Sequence, residues 1–149
     1  LTYDPKDIPR LVGPILRDEA DLVVGDRFAG MQEGAMPFVN RVGNRLISLF
    51  ARVTLRLKVQ DTQCGLRAFR SELVDSLNLR DDGMPLAIEM LAEAKFTGAK
   101  IGEASVTYRP RVGDTKLNLL MDGLRILGTI VRLILNHRFS LELQKTHRR

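Results

Sequence analysis

The run Asp21-Leu22-Val23-Val24-Gly25 constrains the fold more than any other segment of this 149-residue chain. It is a short apolar stretch bounded by polar residues, and it reads as a buried strand. A buried strand needs cover, and the flanking sequence offers it at helical spacing. Upstream, Asp4-Pro5-Lys6-Asp7 is a helix start: Asp4 as cap, Pro5 at the first helical position, Asp7 at the positive end of the dipole. That helix should run to about Leu16. Downstream, residues 29–36 lack periodicity and read as a mobile loop.

Pro37 opens a long helix expected to reach about Leu57. Val39, Val42, Leu46, Leu49, Phe50 and Val53 repeat at three and four and form one apolar face, with Arg41, Arg45, Arg52 and Arg56 largely elsewhere. Gly65 to Phe69 reads as a short strand, and Ser71 as the cap of a short helix. Pro85 to about Phe96 is another helix, ended by Gly98. Lys100 to Tyr108 alternates in part and ends in Val106-Thr107-Tyr108, a strand signal. From Lys116 to about Asn136 the pattern is helical again, with a stripe of Leu117, Leu120, Met121, Leu124, Leu127, Val131 and Leu135. Helices alternating with short strands make the class α/β.

Charge narrows the partners. Lys plus Arg outnumber Asp plus Glu by 23 to 18, a net +5, and this favours an anionic partner. Binders of single-stranded nucleic acid add aromatic stacking platforms, whereas aromatics here are 5% and Trp is absent. Lipid or phosphate therefore ranks above nucleic acid. The single Cys64 permits no intrachain disulfide and reads as a small buried apolar residue. No apolar run reaches the roughly 20 residues that span a bilayer.

Four segments carry residue types that packing does not require. Gly25-Asp26-Arg27-Phe28 follows the buried strand, where ligands of open α/β sheets sit. Arg27 there either grips a phosphate or makes a surface salt bridge. In the segment from Asp61 to Arg70, Asp61 orients a sugar hydroxyl, pairs with an arginine, acts as a base, or is simply a turn residue. Glu89 stands inside an apolar helix start and needs a partner or an opening to solvent, unless it lies on an exposed helix face. The segment from Tyr108 to Leu117 places Arg109, Arg111 and Lys116 with Gly113 on a loop that opens a helix. It is either a diphosphate cradle or a solvated basic loop. His137 and His147 read as solvated, and there is no Cys pair, HExxH or P-loop.

Taken in order, these segments resemble the family-2 glycosyltransferases of the dolichol-phosphate mannosyltransferase type, in particular archaeal and bacterial polyprenyl-phosphate glycosyltransferases. The resemblance rests on a strand ending in Gly25-Asp26-Arg27, the helix with Arg41, Asn44 and Arg45, and Asp61-Thr62-Gln63-Cys64-Gly65-Leu66-Arg67-Ala68-Phe69-Arg70. A Glu89-bearing helix and Tyr108-Arg109-Pro110-Arg111-Val112-Gly113-Asp114-Thr115-Lys116-Leu117 complete it. It covers residues 1 to about 127. Position 26, often Ser in the family, is Asp here, and position 2, near the metal in some members, is Thr.

The resemblance implies part of a GT-A domain (nucleotide-diphospho-sugar transferase, Rossmann-like) over residues 1–115, then an amphipathic interfacial helix and basic tail over 116–149. It implies transfer of sugar from a nucleotide sugar, GDP-mannose or UDP-glucose being typical, to dolichyl or polyprenyl phosphate. It puts Asp61 and Glu89 at the reacting centre, Arg27 and Arg41 on the acceptor phosphate, and Arg111 and Lys116 on the donor diphosphate. The complete enzyme is expected to use Mg²⁺ or Mn²⁺ on an Asp-x-Asp motif from a preceding half. No Asp-x-Asp occurs in these 149 residues, so activity is expected to need that half; the alternative is a non-catalytic subunit that binds lipid phosphate. The expected partners are the nucleotide sugar, polyprenyl phosphate, the membrane surface and a separate N-terminal half or second copy, with no nucleic acid. The expected place is the cytoplasmic membrane face. The last helix is also open to reading as a core-packing or dimer helix.

Overall fold

The computed structural model of the chain describes residues 1–110 and 119–146. A 3₁₀ turn, Pro5–Asp7, leads into α1 (Ile8–Leu16). The remaining elements are β1 (Leu22–Asp26), α2 (Phe38–Leu55), β2 (Arg67–Phe69), α3 (Ser71–Ser76), α4 (Gly83–Phe96), β3 (Ile101–Ser105) and α5 (Leu119–Thr146). Asp4 caps the first turn as expected, accepting from the Lys6 N–H at 3.0 Å. Ser71 is the first residue of α3 and not its cap; that position belongs to Arg70, with no side-chain cap bond.

Three strands form a mixed sheet in the order β2-β1-β3. β1 is central, antiparallel to β2 with Val24 opposite Arg67, and parallel to β3 with Val24 opposite Glu103. Leu22, Val23 and Val24 are fully buried, so the apolar run does become the buried strand. Ile88, Leu91, Ala92 and Ala94 of α4 and Ile126, Ile130 and Leu133 of α5 pack into the same core, each large side chain contributing about 1.5–3 kcal/mol. Gly98 ends α4 with φ +83°. The Ala99 N–H returns to Ala94 O at 2.9 Å and the Gly98 N–H to Lys95 O at 3.2 Å, a Schellman pattern that needs a left-handed residue.

The two long helices bury a side that the sequence pattern did not single out. α2 turns Ser48, Ala51 and Leu55 inward. The face picked out by periodicity, Val39, Val42, Leu46, Leu49, Phe50 and Val53, is 38% to 70% exposed. The same holds for α5: Ile126, Thr129, Ile130 and Leu133 are buried, whereas Met121, Leu124, Val131 and Leu135 of the expected stripe are 49% to 61% exposed. Both helices carry apolar residues on more than one side; inward, α5 packs on α4 and α2, and Ser48 of α2 meets the loop that follows it. α5 also runs ten residues past the expected end, to Thr146.

The segment expected to be a mobile loop is tied to the chain beyond β3. Tyr108 N–H donates to Gly30 O at 3.0 Å, and Gln32 N–H donates to Tyr108 O at 2.9 Å. Gly30 permits this approach: a Cβ there would lie 2.2 Å from Val106 O. Gly30→Ala is therefore expected to push this loop off the strand and lower stability by roughly 1–3 kcal/mol, read as a fall in urea midpoint at constant slope.

Candidate functional site

The site forms where β1 ends. Asp26 folds back on the chain, its Oδ1 accepting from the Phe28 N–H at 2.8 Å and the Ala29 N–H at 3.4 Å. This turn spends the Asp26 carboxylate locally and aims Arg27 the other way. Arg27 then meets Asp61 in a two-point pair, Nε to Oδ2 at 2.6 Å and Nη2 to Oδ1 at 2.8 Å. The Arg27 N–H adds a bond to Oδ2 at 3.2 Å, and the Gln63 N–H one to Oδ1 at 3.2 Å. Asp61 is 0% exposed and Arg27 8%. Of the open alternatives, the arginine partner is the one seen for Asp61, and the pair is buried where a surface bridge was the alternative for Arg27.

Burial works against the Arg27 charge, but the hydrogen bonds and charge of Asp61 outweigh it and hold the guanidinium above the ordinary arginine range. The Tyr108 ring lies 5.5 Å from the Arg27 guanidinium carbon, a cation–π distance, and Tyr3 packs on Tyr108 with ring centroids 5.5 Å apart. Burial pushes the Tyr3 hydroxyl up, as does the neighbouring Cys64. Burial, then Asp61, push the Cys64 thiol up as well. Cys64 is fully buried and stays a protonated packing residue, as read from the sequence.

The loop carrying Asp61 is held on three sides. The Ser48 hydroxyl of α2 accepts from the Thr62 N–H at 3.1 Å and lies 3.0 Å from the Thr62 hydroxyl. Arg67 of β2 donates to Cys64 O at 2.8 Å, Thr62 O at 2.8 Å and Ala87 O at 2.6 Å, stitching the loop to α4. Burial pushes the Arg67 pKa down to about 10, which leaves it charged near neutral pH. Glu103 of β3 accepts the N–H groups of Gln60 at 2.5 Å and Asp61 at 3.0 Å.

The contacts of Glu89 and Arg41 are with residues other than Arg27 and Asp61. Glu89 is 1% exposed, so it is not on an exposed helix face. Its Oε2 accepts the N–H groups of Arg80 at 2.9 Å and Asp81 at 2.8 Å, and Arg132 of α5 approaches Oε1 at 3.4 Å. Arg132 also pairs with Asp81. None of these partners is shared with Arg27 or Asp61; a cleft of about 520 Å³ beside Glu89 is lined by Asn78, Arg80, Arg132 and His137. Arg41 is exposed on α2 with its guanidinium carbon 5.6 Å from the Phe38 ring centroid. Arg45 of α2 reaches the turn after β1, its guanidinium carbon 5.2 Å from the Phe28 ring centroid, and Arg52 of α2 donates to Gln60 Oε1 at 2.6 Å beside Asp61. Arg45 stood in the Arg-x-x-x-Arg spacing, but nothing in that spacing said which arginine faces β1. Arg111 and Lys116 lie outside the described residues. Among the described residues no group of three or more His, Cys, Asp or Glu is placed to hold a metal, and the Asp61 oxygens are taken by Arg27 and Gln63. The donor set on these residues does not fit a divalent cation.

No family model matches the chain. Curated relatives do. A dolichyl-phosphate hexose transferase of Haloferax volcanii is 33% identical over 94% of this chain and 60% of its own length. Glycosyltransferase AglJ of the same organism is 37% identical over 82% of this chain and 41% of its own. A UDP-N-acetylglucosamine–dolichyl-phosphate N-acetylglucosaminyltransferase of Methanococcus voltae is 33% identical over 70% and 43%. The chain belongs to the family-2 glycosyltransferases of the polyprenyl-phosphate type. This family member spans less than two thirds of the length of these relatives. Its mixed sheet with helical cover is compatible with part of a glycosyltransferase domain. The division at residues 115 and 116 falls outside the described residues.

Proposed function

We propose that this chain is the acceptor-side part of a GT-A enzyme that transfers a hexose from a nucleotide sugar to dolichyl or polyprenyl phosphate. The observation that carries this reading is the buried Arg27–Asp61 pair at the carboxyl end of the central strand, in a chain similar to relatives named for transfer to dolichyl phosphate. A phosphate oxygen is already anionic near neutral pH, so attack on the anomeric carbon needs little help from a base. The obstacle is bringing two anions together, which fixed cations relieve. Asp61 occupies Nε and Nη2 of Arg27 and leaves both N–H groups of Nη1 outside the pair. Arg27 would thus present one rigid donor edge to the acceptor phosphate, with Arg41 and Arg45 adding charge from α2. Arg111 and Lys116 would close on the donor diphosphate, and Glu89 would support the pocket from α4. A divalent cation would be held by carboxylates outside these 149 residues and would offset charge on the diphosphate.

No described helix is long and apolar enough to cross a membrane. The outward faces of α2 and α5, apolar with arginines alongside, suit a place in the bilayer interface, on the cytoplasmic side where nucleotide sugars are met. The test is transfer of labelled sugar from GDP-mannose or UDP-glucose to a polyprenyl phosphate with Mn²⁺ or Mg²⁺. The chain alone is expected to be inactive, and an added segment bearing the Asp-x-Asp motif to restore turnover. With that segment present, Arg45→Ala should lower kcat/KM about tenfold to a hundredfold, the loss of one charged contact of about 1.5–3 kcal/mol. Absence of transfer in both arms, with polyprenyl phosphate still bound, would leave the lipid-phosphate-binding subunit.

A further inference from the structure

Glu103 takes no part in the family assignment or in the roles proposed above. It lies on β3 opposite Val24 of β1, and one of its oxygens, Oε1, accepts two consecutive backbone N–H groups, those of Gln60 and Asp61. Ser48 and Arg67 bond the main chain of this loop further along, Ser48 at Thr62 and Arg67 at Thr62 and Cys64, and Arg52 bonds the side chain of Gln60. Among the described residues, Glu103 is the side chain that accepts the main-chain N–H of the residue whose carboxylate meets Arg27.

The surroundings do not favour a carboxylate here for stability. Burial pushes the Glu103 acid above the ordinary range, the two N–H groups pull it back, and the carboxylates of Asp26 and Asp61 push it up again. A neutral acceptor would fill the same space with less opposition. What the Glu103 side chain adds is geometry: one oxygen on two successive N–H groups fixes the direction in which the chain enters Asp61. The Asp61 carboxylate must meet four donors at once, and such a fit tolerates little backbone rotation.

We propose that Glu103 is a positioning residue for the site, setting the Asp61 backbone and through it the rigid Asp61–Arg27 pair. The consequence for transfer rests on the function proposed above; the positioning itself does not. The test uses the 149-residue chain and nitrogen-15 NMR, following hydrogen exchange at the Asp61 N–H and the Arg27 Nε–H. Glu103→Ala is expected to speed exchange at both by about tenfold or more, while Val23 and Ile88 keep their protection, because losing the two adjacent hydrogen bonds opens only the local unit. Glu103→Gln keeps an acceptor oxygen and is expected to restore protection at both. Glu103→Asp withdraws the oxygen while keeping the charge and is expected to resemble the alanine variant; it decides the matter if Glu103→Ala does not fold. Unchanged exchange in the Ala and Asp variants would overturn the proposal, as would a Gln variant as unprotected as the others. An intact exchange result with no sugar transfer in the reconstituted assay would instead count against the function and leave the positioning standing.

Discussion

Asp61→Ala is expected to cost this chain about 3–5 kcal/mol, the penalty for leaving a buried charge without its partner. Arg27 keeps its place at 8% exposure, and without Asp61 two of its nitrogens and its own N–H lose their acceptor. The measurement is urea unfolding followed by circular dichroism. The loss comes from isolating a charge, so removing both ends should recover much of it. The double replacement Arg27→Met with Asp61→Leu is expected to be well above the single variant, since buried pairs replaced by apolar groups of similar volume are often neutral in stability. A double variant as unstable as Asp61→Ala would show that the carboxylate has other work, with the Gln63 N–H the first place to look.

The second large effect is expected at Arg67. Its guanidinium bonds to three main-chain carbonyls from two parts of the chain, Thr62 and Cys64 in the site loop and Ala87 in α4. Arg67→Met would keep the volume and leave all three acceptors short of a donor. At 1–3 kcal/mol for each unmade bond, less the relief of removing a poorly solvated charge, a net loss of about 2–4 kcal/mol is expected. Arg67→Lys retains the charge but not the planar fork, and one ammonium cannot face three divergent carbonyls. It should recover less than half of the loss. Thermal unfolding of the three proteins side by side checks the order: native, then Lys, then Met.

Local chemistry was legible in the sequence; the choice of sides was not. The strand at Leu22–Val24, the Asp4 cap and the Gly98 stop each follow from a few adjacent residues. The apolar repeats of α2 and α5 mark a face of each helix that stays largely exposed, while another side of each is buried. Periodicity shows that a helix has an apolar face, and cannot say whether protein covers it. In α2 the buried side was set by Ser48, which must reach the Thr62 N–H, and by Ala51, small enough for close approach. The Arg27–Asp61 pair was open in the sequence as one of several roles, because 34 residues separate the partners. Glu103 left no signal, since a glutamate in a partly alternating strand reads as facing water. Its use depends on the parallel register that sets it opposite Val24. Glu89 was flagged for being charged among apolar neighbours, and it does have partners, the Arg80 and Asp81 N–H groups before α4 and Arg132 of α5.

α2 also restricts how this protein can change over time. Its inward Ser48 fastens the site loop, while Val39, Leu46 and Val53 look outward. Each residue inserted or deleted between Val39 and Ser48 would turn Val39 against Ser48 by about 100°. Drift in this helix must therefore proceed by substitution at fixed length, and homologues that differ in loop lengths should keep the count from Val39 to Ser48.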